Sequence, residues 1–190
     1  MTSVLLFLRT PLESVRTVLL DPASRTSAEL ARQVVAEATG GARITVREAH
    51  APGIDPRGTE EDAVLLIGDP ALRYRALWDG QVVDLGETWT RSTGLPFVYA
   101  RWTARPGLSP DARGRLVDLL DDAAATGLAQ KEDLARAWAV ARGEDPEAAA
   151  LYVREHVHYL IDEAAEAGLA RYAAKVRTQA ESRVTEARHA

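Results

Sequence analysis

Six short apolar runs, separated by stretches of helical character, fill this chain up to about Arg105 and then stop. They are Val4–Leu8, Val15–Leu20, Ile44–Val46, Val64–Ile67, Val82–Leu85 and Phe97–Trp102. Such alternation is the pattern of βαβ units and predicts an α/β fold built on a mainly parallel sheet. Most of the runs are continuous rather than alternating apolar and polar, so the strands are expected to be covered on both faces. The helices between them carry start and stop signals. Thr26 followed by Glu29 makes a capping box, and Asp69-Pro70 offers an N-cap followed by proline. Gly40-Gly41 ends the first helix and Gly80 the second, while 87–92 fits a short helical turn closed at Gly94.

Beyond Pro106 the rhythm becomes helical to the C-terminus. Leu116, Leu119, Leu120 and Ala123 fall on one helix face, and Val153, Val157, Leu160, Ile161 and Ala164 on another. Leu134 with Trp138, and Leu169 with Tyr172 and Val176, continue the pattern, and Asp145-Pro146 is a further helix start. Stripes of this kind mark where helices bury. The expected division is therefore an α/β lobe over 1–100 and a helical part over 101–190. The helical part has more apolar faces than a small sheet can cover. Either its helices pack on one another, or they await a sheet this chain does not supply, in which case self-association through uncovered faces is expected.

Composition narrows the chemistry. With no cysteine there is no disulfide, no thiolate nucleophile and no thiolate metal site. A net charge of −5 with both signs interspersed argues against nucleic acid as a partner. No apolar run is long enough to span a bilayer and the first residues lack a leader pattern, so the chain reads as soluble and cytoplasmic, with no membrane partner. His156 and His158 are two apart on a predicted helix and face different ways, His50 sits at a strand end and His189 in the tail, so no metal site is expected. No phosphate loop, dinucleotide fingerprint or nucleophile elbow is present, and no cofactor is expected.

Three segments could carry chemistry. Asp21-Pro22-Ala23-Ser24-Arg25-Thr26-Ser27 lies between a strand end and a helix start, where unpaired N–H groups and positive partial charge gather. Its hydroxyls and guanidinium would seat a carboxylate; alternatively Ser24 or Thr26 only caps the helix and Arg25 is solvated. Ile67-Gly68-Asp69-Pro70 repeats the strand-to-helix arrangement, with Asp69 a ligand contact or a cap. Asp84-Leu85-Gly86 through Trp89 to Thr93-Gly94 is the third, where aromatic and hydroxyl groups could line a cleft or simply join the core.

Taken in order, Ser3–Phe7 with Pro11-Leu12, Ser24–Ser27, Ile67–Leu72, Asp84–Trp89 with Thr93–Ala100, and Tyr152–Tyr159 resemble the menaquinone biosynthetic enzyme family that includes chorismate dehydratase. The resemblance fades after about Lys175. It implies a type II periplasmic-binding-protein-like α/β fold and loss of water from chorismate to give an aromatic enolpyruvyl benzoate. Ser24, Arg25, Thr26 and Ser27 would then bind a substrate carboxylate, with Asp69 and Thr93 lining the cleft. The catalytic acid and base are not assigned. Family members carry a further βα lobe before the strand that matches Ser3–Phe7, against which the C-terminal helices pack; here that segment is expected to be missing. A carboxylate-binding module or inactive remnant is the alternative to an active dehydratase. The sister activity that makes dihydroxynaphthoate is a third reading.

Overall fold

A computed structural model gives the fold of residues 3–187. Five of the six apolar runs are strands: β1 Val4–Leu8, β2 Thr17–Leu20, β3 Thr45–Glu48, β4 Ala63–Ile67 and β5 Gln81–Asp84. They form one sheet in the order β3-β2-β4-β1-β5. Helices α1 Arg25–Ala38, α2 Asp69–Arg75 and α3 Leu85–Thr93 follow β2, β4 and β5. The fold class is α/β, and both sheet faces are covered. Leu6, Leu8, Val18, Leu20 and Leu65 pack with α1 and α3 on one face, while Leu5, Phe7, Leu19, Val64 and Leu66 pack with α2 on the other.

The expectation of a mainly parallel sheet needs correcting at β1. Strand β2 is parallel to β3 and β4, but β1 runs antiparallel to both its neighbours, with Val4 opposite Ile67 of β4 and Leu5 opposite Asp84 of β5. The cause is the link between β1 and β2. Residues 9–16 hold only a short 3-10 turn at Leu12–Ser14 and no crossover helix, so the chain cannot return along the sheet before its next strand. The sixth run, Phe97–Trp102, is not a strand. Phe97 turns its ring onto Trp89, Tyr99 and Tyr172 with centroids 5.4, 4.8 and 5.0 Å away, so aromatic packing holds this segment rather than a ladder.

Contacts divide the chain into two units, Met1–Ala100 with Asp162–Ala190, and Arg101–Ile161. The second crossing point is new relative to the single division expected near residue 100. It arises where one helix was expected over Val153–Ala164. Helix α6, Pro146–Glu155, stops there, and Asp162 accepts the Ala165 N–H at 2.8 Å to start a separate helix, α7 Glu163–Ala187. Helix α7 belongs to the first unit and packs within it. A Cβ at Gly168 would run into the carbonyl oxygen of Pro96, Tyr172 joins the Trp89 and Phe97 rings, and Lys175 Nζ meets Glu37 Oε1 at 2.7 Å.

The second unit holds α4 Pro110–Ala129, α5 Lys131–Val140 and α6. Helices α5 and α6 pack as a pair, with Arg136 Nε on Glu147 at 2.9 Å and the Lys131 ammonium donating to the Val153 carbonyl at 3.2 Å. Helix α4 buries no side chain, and Leu119 on its expected core stripe is 64 % exposed. No helix among the described residues is long and apolar enough to cross a membrane.

Candidate functional site

Strand direction collects three helix starts at one edge of the sheet. The register that sets Val4 of β1 against Ile67, and Leu5 against Asp84, places the carboxyl ends of β4 and β5 beside the start of β1; β2, parallel to β4, ends there too. Each of these ends leads into a helix, so the unpaired N–H groups and positive partial charge of α1, α2 and α3 lie along that edge. Helices α1 and α3 are on one face and α2 on the other.

The start of α1 is closely held. Asp21, 2 % exposed, accepts the Ala23 N–H at 2.9 Å and the Gly53 N–H at 3.2 Å, which fixes the loop leaving β2. Ser24 is the N-cap, where the sequence also allowed Thr26. Its Oγ accepts the Ser27 N–H at 3.1 Å and donates to the Ser27 Oγ at 3.0 Å. Both serine hydroxyls are therefore committed to the cap, and Ser27 is buried. Arg25 and Thr26 take no part in that side-chain cap. With Glu29, Arg32, Glu48 and Tyr172 they line an open hollow of about 550 Å³. Arg32 pairs with Glu29 at 3.6 Å, whereas Arg25 makes no ion pair or side-chain hydrogen bond among the described residues. Burial, assisted by the neighbouring Glu29 carboxylate, pushes the Tyr172 hydroxyl up to about 12, so it stays protonated at any ordinary pH. It donates to the Thr26 carbonyl oxygen at 3.1 Å.

The other two expected residues lie apart from this hollow. Asp69 is exposed at the first position of α2, after Gly68, whose φ of 67° suits glycine; Gly68 rather than Asp69 is the N-cap. Asp69 thus shares the sheet edge with α1 but sits on the opposite face. Thr93 is at the far end of α3, roughly 12 Å of helix from the edge. Its Oγ1 donates to the Trp89 carbonyl at 2.8 Å and accepts the Leu95 N–H at 3.2 Å, so it closes the helix. Of the six residues singled out by sequence, Arg25 and Thr26 line the hollow, while Ser24 and Ser27 form the cap of the same helix and do not line it. Arg32, Glu48 and Tyr172 were not anticipated there. Only the helical spacing of Arg25, Glu29 and Arg32 offered a signal, since i, i+4 and i+7 share a face. His189 lies outside the described residues, and among those described no group of three or more His, Asp or Glu side chains could hold a metal ion.

Comparison with known proteins gives these shapes a context. A family described as menaquinone biosynthesis matches residues 1–178. A chorismate dehydratase of Thermus thermophilus is 33 % identical over 160 residues, covering 76 % of this chain and 57 % of that protein. A 1,4-dihydroxy-6-naphtoate synthase of Streptomyces coelicolor is 32 % identical over 100 residues, covering 53 % of this chain and 30 % of that protein. The crystal structure of a structural-genomics target from Archaeoglobus fulgidus aligns with a TM-score of 0.64 at 16 % identity, over 94 % of this chain and 68 % of that one, a likeness of fold. The chain spans little more than half of the first curated relative and under a third of the second.

Proposed function

This chain belongs to the menaquinone-biosynthesis family, and on that premise we propose that it acts on chorismate as a dehydratase, a carbon–oxygen lyase of the cytoplasm. The observation that carries the reading is the start of α1, where Arg25 and Thr26, the first two residues of the helix, line an open hollow. A carboxylate fits such a position because amide donors, the helix dipole and a guanidinium all favour negative charge. Chorismate carries two carboxylates.

In the reaction a ring C–H bond and the ring C–OH bond break, the elements of water leave, and the ring becomes aromatic. Aromatisation supplies the driving force, so the protein's work is orientation and stabilisation of developing negative charge. Arg25, Thr26 and the Arg25 and Thr26 N–H groups would hold one carboxylate, while Asp69, at the same sheet edge but on the opposite face, is assigned no part in holding it. Thr93 is left out of this assignment because it sits at the far end of α3 with its hydroxyl tied to the Trp89 carbonyl and the Leu95 N–H. No residue is assigned as general base; the substrate's own carboxylate can serve as one.

The fold reading that goes with this function is a type II periplasmic-binding-protein-like lobe, with the helices of Arg101–Ile161 belonging against another lobe. Their exposed Leu116, Leu119, Leu134 and Leu151 support it, since apolar faces of this kind are normally covered. Purified alone, the protein should self-associate through them, and a monodisperse monomer by sizing with light scattering would refute that expectation. The function itself is tested by incubating purified protein with chorismate and following the aromatic product by chromatography, with calorimetry for binding. Product formation is expected. Binding without product would leave a carboxylate-binding module, and neither from folded protein would remove the proposal.

A further inference from the structure

We propose that Tyr172 is a positioning residue, which together with Ser24 holds the Thr26–Ser27 peptide from both ends and so aims the first turn of α1 at its ligand. The identity of that ligand rests on the function proposed above; the clamp does not. The Thr26 carbonyl oxygen accepts the Tyr172 hydroxyl at 3.1 Å across 146 residues of chain, and the N–H of the same peptide unit, that of Ser27, donates to the Ser24 Oγ at 3.1 Å. A carbonyl in a helix ordinarily serves the N–H four residues on and has a second lone pair to spare, which Tyr172 takes. Fixing both ends of one peptide plane also fixes the planes next to it. The preceding plane carries the Thr26 N–H, which, like the Arg25 N–H one plane further back, lies too early in α1 for an intrahelical acceptor and is not engaged by the Ser24 cap.

The hydroxyl is well placed for the task because its ring cannot drift. Trp89 and Phe97 meet it edge-on with centroids 6.0 and 5.0 Å away. Its helix is held by the Gly168 approach to Pro96 on one side and by the Lys175 ion pair to Glu37 on the other. Tyr172 itself lines the hollow beside Arg25 and Thr26, so any ligand there sits against the group that orients its donors.

Tyr172→Phe keeps the ring and removes only the hydroxyl. Two measurements read the consequence. In amide hydrogen exchange, protection at Ser27 and Ala28 should fall about fivefold while protection in β1 and β4 is unchanged, in keeping with loss of one hydrogen bond. In steady-state kinetics with chorismate, KM should rise about tenfold with kcat held within about twofold, the sign of lost binding shared by ground and transition states. A general loosening of the fold would lower protection everywhere and would not give that split. Unchanged exchange at Ser27 and Ala28 would overturn the clamp, whatever the kinetics. If the wild-type protein neither binds nor converts chorismate, the proposed function fails while the exchange result still decides the role of Tyr172.

Discussion

Gly168→Ala should lower the melting temperature of the protein, and Gly114→Ala should raise it. The two glycines share the same local setting, a helix interior, where alanine is favoured by about 1 kcal/mol because glycine loses more backbone freedom on folding. What differs is the space beside them. A Cβ at Gly114 in α4 meets no atom within 4 Å, whereas one at Gly168 in α7 is driven into the backbone oxygen of Pro96, which no side-chain rotation can move. The cost of overpacking there is about 3 kcal/mol, so a net loss of about 2 kcal/mol remains after the propensity gain. Thermal unfolding followed by circular dichroism should register this as a fall of roughly 4–8 °C for Gly168→Ala. Stabilisation by both alanines would show that α7 does not approach Pro96 as described, and with it the seat of Tyr172 would be lost.

Neither Gly168 nor Tyr172 could have been read as part of a site from the chain alone. The positions of β1, β2, β3, β4 and β5 were legible because continuous runs such as Val64–Ile67 satisfy a strand that is covered on both faces. Strand direction was not. The reversal of β1 depends on how the link over 9–16 folds, and composition does not report that. At the site, Arg25 and Thr26 were legible because a strand end meeting a helix start is a local pattern, with consequences set by dipole and amide geometry. Ser24 and Ser27 stood out for the same reason, and their hydroxyls make the cap that the sequence offered as the other reading of Ser24. Thr93 was ambiguous because a threonine near a turn reads equally well as a cleft hydroxyl or as a helix-end tie, and in the fold it makes the latter contact. Tyr172 sat in plain view within the stripe of Leu169 and Val176, yet a stripe tells only that a helix face is buried. Its partner lies 146 residues away, and only the folded chain brings the two together.

Arg25→Ala should move stability and binding in opposite directions. Arg25 is the first residue of α1, where the partial charge of the helix end is positive and a cation is unfavourable by about 0.3–1 kcal/mol. Its side chain is exposed and gains no compensating ion pair among the described residues, so removing it should leave the melting temperature unchanged or slightly raised. Affinity for chorismate should instead fall about 10- to 100-fold, or about 1.4–2.7 kcal/mol, the range of a charge-assisted pair at a partly exposed site. Arg25→Lys should recover only part of the loss, since an ammonium keeps the charge but not the planar fork that matches a carboxylate. Arg32→Ala supplies the contrast: that guanidinium lines the same hollow but is already paired with Glu29 at 3.6 Å, so its loss should cost under about threefold in affinity. Because the donors are solvent-facing, wild-type affinity should also weaken as salt is raised from 50 to 500 mM, over which exposed charges become screened within about a Debye length. Calorimetric titration of the three variants decides the matter. Equal affinity in wild type and Arg25→Ala, with chorismate still bound, would move the carboxylate seat away from the start of α1.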